Sequence, residues 1–124
     1  MSKSIKVFVL HRNDINSNLN IVKGVLNENG VNVKQCGKQV NISIYTATAK
    51  TFTANAWNTL ATLPEGSRPT RVVNFALYDN TTSKQSTSTT IIGIVEATGA
   101  VSIWVYGDDT TLAPCGSCSF FAEQ

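Results

Sequence analysis

Charge is sparse in this 124-residue chain. Asp, Glu, Lys and Arg make up 15% of it, and ten basic side chains against eight acidic ones leave a net charge of +2. A balance so small and so scattered excludes the basic stripe of a nucleic-acid footprint. Histidine is scarcer still, with His11 alone. A hydrolytic triad needs an imidazole beside a nucleophile and an orienting carboxylate. No G-x-S-x-G elbow is present, and Asp14 lies too near His11 in sequence to supply that geometry, so His11 reads as a solvated loop residue. A glycine-rich phosphate loop is missing as well. Asp108 and Asp109 are adjacent, so they point apart in an extended segment and do not make the facing carboxylates of a glycosidase. No apolar run approaches the roughly 18 residues that carry a helix through a bilayer, and no membrane insertion is expected. The sequence gives no positive case for an enzyme and asks for no cofactor.

Cysteine is rare too, with three residues, but two of them form Cys115-Gly116-Ser117-Cys118. In thiol–disulfide oxidoreductases a C-x-x-C opens a helix whose N-terminus lowers the thiol pKa. Here Ser119-Phe120-Phe121 and the chain end follow, with no helix on offer. A zinc site takes four ligands. Cys36 and His11 could join the pair as a Cys3His set, but neither stands at ligand spacing. The cysteines read first as loop or strand residues without catalytic duty. A Cys115–Cys118 or Cys36 disulfide, a metal site and a small thiol enzyme are the alternatives. Met1-Ser2-Lys3-Ser4 precedes only a short apolar run with no cleavage site, so the expectation is synthesis in a cytoplasm without a signal peptide.

What is present is β-sheet patterning. Apolar residues make up 42% of the chain, and much of the remainder is Thr, Ser and Asn. Ile5 to Leu10 is a β-branched strand, followed by a polar break. Leu19 to Leu26 reads as a weak strand, because Gly24 and the nearby asparagines oppose a helix. Asn29-Gly30 is a strong hairpin signal, and Cys36-Gly37 offers a second turn. Val40, Ile42 and Ile44 share one face, with Asn41, Ser43 and Tyr45 on the other. Thr46 to Ala56 reads as a loop or short edge strand. Val73, Phe75 and Leu77 repeat the alternation, and Asp79 to Gln85 reads as an exposed polar loop. Ser88 to Val95 is β-branched, with Gly93 marking a bulge or a close backbone approach. Glu96-Ala97-Thr98-Gly99 turns the chain into Ala100 to Tyr106, where Val101, Ile103 and Val105 face inward and Ser102, Trp104 and Tyr106 outward. Ser117 to Ala122 closes the chain. Short strands at near-regular spacing without helical periodicity predict an all-β antiparallel sandwich or barrel. Residues 1–20 are expected to form an N-terminal strand and polar arm, and residues 21–124 a single barrel.

Trp57 to Pro69 interrupts this pattern. Pro64 and Pro69 fix φ and lack an N–H, and Pro64-Glu65-Gly66 has turn chemistry. The segment reads as a rigid, non-pairing crossover between two groups of strands. Its wording, W-x-x-L-x-T-L-P-E-G-x-R-P, resembles the crossover in the C-terminal head domains of tailed-phage receptor-binding and baseplate proteins. Val33 to Val40 is similar to the first hairpin of those heads, and Thr98 to Gly107 to their strand n-G-x-v-x-i-w-x-x-G. The likeness runs from about Val31 to Phe121. It implies a jelly-roll-like barrel in a virion, homotrimeric, joined to other tail or baseplate proteins and binding a saccharide of the host cell surface. The histidine, acid and late arginine that bind saccharide in some of those heads have no counterpart here. Only the aromatic component carries over, at Trp104 or Tyr106.

The residues themselves allow the same reading. A sugar site combines an aromatic platform with short polar side chains and carboxylates. Trp104 and Tyr106 alternate on one strand face, with Asp108 and Asp109 beyond its end, and these four are the candidate ligand-binding residues. Trp104 could equally fill a second layer or a subunit contact, where tryptophan is also enriched. A structural tail protein using the barrel only for assembly is therefore the alternative to a glycan-binding module.

Overall fold

The computed structural model describes residues 21–80, 90–107 and 111–122, and in these the chain is all β. The strands are β1 (Val22–Glu28), β2 (Val31–Cys36), β3 (Gln39–Tyr45), β4 (Lys50–Thr51), β5 (Trp57–Thr62), β6 (Val73–Asp79), β7 (Thr90–Val95), β8 (Ala100–Tyr106), β9 (Thr111–Leu112) and β10 (Pro114–Phe121). Eight of them form one antiparallel sheet in the order β1-β2-β3-β10-β6-β7-β8-β5, nearly closed into a barrel, and β4 pairs with β9. The expected fold class is the one observed. His11 and the strand expected over Ile5 to Leu10 lie outside the described residues.

Alternation built the sheet. In β3, Val40, Ile42 and Ile44 are buried while Asn41, Ser43 and Tyr45 are exposed. In β8, Val101, Ile103 and Val105 are fully buried. Together with Val31, Val33, Ile91, Val95, Leu63 and Leu112 they form one continuous core. Each such side chain stabilises the fold by roughly 1.5–3 kcal/mol relative to exposure. The Asn29-Gly30 turn takes positive φ at both residues, 51° and 81°, which matches the right-handed twist of the flanking strands.

Three expectations change. The crossover is shorter than predicted. Trp57–Thr62 is a strand paired with β8, so only the chain from Leu63 onward is non-pairing, apart from a bridge between Pro69 and Ala122. Pro64 bars pairing only from its own position on, so it ends β5 rather than excluding it. Asp79 is not the start of an exposed loop. It ends β6, is buried, and accepts a hydrogen bond from the Ala113 N–H at 2.9 Å. Finally, the last strand begins at Pro114, so the C-x-x-C lies inside β10.

The crossover still organises one end of the barrel. Leu63 N–H donates to the Gly99 carbonyl at 2.8 Å, the Arg68 Nε–H donates to the Leu63 carbonyl at 2.9 Å, and Ala122 N–H donates to Lys38 O at 2.7 Å. The Gln35 side chain at the end of β2 donates to the Gly66 carbonyl at 3.0 Å and accepts from the Ser67 hydroxyl. These bonds tie the crossover to the turns at that end. The two edge strands meet through another side chain: in the β1–β2 turn, the Asn29 amide donates to the Leu60 carbonyl of β5 at 2.8 Å.

Candidate functional site

The outward face of β5, β7 and β8 carries the aromatic residues. Register sets Trp57 beside Trp104, and Trp104 beside Ile92. The two indoles meet edge to face, with ring centroids 5.2 Å apart and an interplanar angle of 73°. Tyr106, two residues along the same face of β8, lies 5.8 Å from Trp104 at a tilt of 45°. Such contacts contribute about 0.5–1.5 kcal/mol beyond the area they bury. Trp57 remains 47% exposed and Tyr106 46%, so the outer two rings face solvent while Trp104 is partly covered between them.

The Asn58 side chain ties down the chain preceding Trp57. Asn58 Oδ1 accepts from the Thr53 N–H at 2.9 Å, and its amide nitrogen donates to the carbonyls of Thr53 at 3.0 Å and Ala56 at 3.1 Å. Asn55, between them, takes a positive φ of 55° and donates its N–H to the Val105 carbonyl at 2.9 Å. This turn aims Trp57 outward from the sheet edge. One row away, the Thr59 and Ser102 hydroxyls bond at 3.0 Å. The Trp104 indole N–H is buried and finds no hydrogen-bond partner among the described residues. An unpaired buried donor costs about 1–3 kcal/mol.

Of the four candidate binding residues, Trp104 and Tyr106 are brought together; Asp108 and Asp109 lie outside the described residues. Trp57 was not among the candidates. Its signal, a tryptophan opening an alternating run, was obscured by the prolines that follow.

The cysteines do not converge. Cys115 and Cys118 are three residues apart in an extended strand, so they project to opposite faces. Cys115 sits on the outer face beside Tyr45 and Tyr78, and Cys118 on the inner face beside Ile42. No disulfide joins Cys36, Cys115 or Cys118. The pairing offered for Cys115 and Cys118 is thus removed by geometry. Burial pushes the Cys118 thiol up to about 11, the opposite of the shift that activates a redox cysteine. Among the described residues no cluster of three or more His, Cys, Asp or Glu side chains could hold a metal ion.

Comparison with known proteins finds no matching family model and no matching curated protein.

Proposed function

We propose that this chain is a recognition module of a phage or prophage tail or baseplate that binds a glycan on the host cell surface without catalysing a reaction. The observation that carries the reading is the aromatic cluster of Trp57, Trp104 and Tyr106 on the outside of the barrel. Exposed aromatic faces stack on the C–H faces of pyranose rings, and flanking hydroxyls and amides satisfy the sugar oxygens. The Trp57 and Tyr106 rings flank Trp104 at angles of 73° and 45° to it, and each of the two outer rings offers its own exposed surface to a ligand. The likeness of the crossover and of the β8 wording to phage receptor-binding heads supplies the setting: a homotrimer in the virion, seated on other tail proteins.

The second reading is assembly without glycan binding. The partial covering of Trp104 favours it, since tryptophan and tyrosine are also enriched in protein interfaces. Binding of the protein to host cell walls and to a glycan array, with Trp57→Ala and Trp104→Ala alongside, separates the two. Loss of wall binding by folded variants that keep their size in solution supports recognition. Loss of assembly, with glycan binding intact, supports the second reading.

A further inference from the structure

The outer face of β1, β2 and β3 holds a groove of about 430 Å³, remote in sequence from the tryptophans. Its lining includes Asn27, Asn32, Asn41, Ser43, Lys34 and Tyr45. The register places these side chains in adjacent rows. Asn27 pairs with Asn32 and Asn32 with Ser43, while Lys34 pairs with Asn41. Tyr45, 60% exposed, closes one end beside Gly30, whose carbonyl accepts the Tyr45 N–H at 2.9 Å.

Asparagine is among the residues least suited to strands. Three of them on one face of three neighbouring strands work against the fold that surrounds them. Such conflicts between local preference and global structure concentrate at functional sites. The amides do not repay the fold with bonds of their own. Among the described residues, the side chains of Asn27, Asn32, Asn41, Ser43 and Lys34 make no hydrogen bond or ion pair. Gln35 and Asn58, by contrast, spend their amides on backbone partners. An amide offers both donors and an acceptor, matching a hydroxyl, which is also both. Among the described residues that line the groove, Lys34 carries the one full charge, with no carboxylate to oppose it.

We propose that this groove is a second binding site, taking a saccharide unit that bears an anionic substituent, a uronate or a phosphate ester. The amides and Ser43 meet the hydroxyls, the Lys34 ammonium meets the anion, and the Tyr45 ring covers an apolar sugar face. This site is independent of the tryptophan cluster, which lies on other strands.

The test is a glycan array that pairs uronate- and phosphate-bearing oligosaccharides with their methyl-esterified or dephosphorylated forms. It is probed with the unaltered protein, the triple variant Asn27→Thr, Asn32→Thr, Asn41→Thr, the variant Lys34→Gln, and Trp57→Ala. The unaltered protein is expected to prefer the anionic member of a pair. Lys34→Gln should lose about tenfold on that member and little on the neutral one, as befits loss of one charge-assisted hydrogen bond. Threonine suits a strand better, so the triple variant should melt a few degrees higher while losing groove binding. A triple variant that melts lower overturns the proposal, because the amides are then structural. So does unchanged anionic binding in both groove variants, or binding to no anionic glycan. If Trp57→Ala alone abolishes binding, the tryptophan cluster stands and the groove falls. The reverse result leaves the groove and removes the cluster.

Discussion

Gln35 and Ser67, 32 positions apart, share a short hydrogen bond of 2.5 Å between the end of β2 and the crossover that follows β5. Gln35 adds a donated bond to the Gly66 carbonyl, so one amide holds two consecutive residues of the crossover. Ser67 is buried there, which makes its hydroxyl dependent on that partner.

Gln35→Ala is therefore expected to destabilise the fold by about 1–3 kcal/mol, the cost of leaving a buried polar group unpaired. Ser67→Ala in the same background should add little, because its bond is already gone. Urea unfolding of the two single variants and the double variant gives the coupling; additive losses would show that the two side chains act separately.

Gly93 faces the Phe75 ring so closely that a Cβ built there would stand 2.3 Å from the ring's Cζ atom. Gly93→Ala should then cost about 1–3 kcal/mol through overpacking. Phe75→Leu, which removes the flat ring, should recover part of that loss when the two changes are combined. Thermal melts of the series check both expectations.

Trp104→Phe keeps an aromatic edge beside Trp57 while deleting the unpaired indole N–H. Stability is expected to stay level or rise by up to about 1 kcal/mol, since the unpaired donor is the larger cost. Glycan binding, where the tryptophan face is used, should fall about tenfold. A variant that loses both stability and binding would assign Trp104 to packing.

Cys118 should resist alkylation at neutral pH in the folded protein, because burial keeps its thiol protonated up to about pH 11. The sign of its stability effect follows from linkage. The unfolded thiol, near its ordinary pKa of 9.0, releases its proton before the folded one does. Stability is thus intact below about pH 9 and declines as pH rises through about 11. Cys118→Val, compared with the unaltered protein by denaturant titration at several pH values, should lack that part of the decline. An equal decline in both would place its cause elsewhere.

Asp79→Ala is expected to destabilise by about 1–3 kcal/mol, because the Ala113 N–H loses its buried acceptor. Asp79→Asn retains an oxygen acceptor and should cost less. Chemical denaturation of the pair distinguishes loss of the acceptor from loss of the charge.

The sequence by itself determined the fold class and most inward-facing residues. Period-two alternation is a local property, and it is plain at Val40-Ile42-Ile44 and at Val101-Ile103-Val105. Turn chemistry is local as well, so Asn29-Gly30 and Glu96 to Gly99 were legible. Tertiary structure alone decided strand order, which sends the chain from β3 past β4 to the far edge at β5 and only later returns β10 to β3. It also decided which aromatic residues meet, since Trp57 and Trp104 are joined by register across 47 positions of chain. The same holds for the asparagine groove, whose members are unremarkable one at a time. Alternation says which way a side chain points, but the neighbour it finds depends on pairing between distant strands, and that is set by closing one shared core.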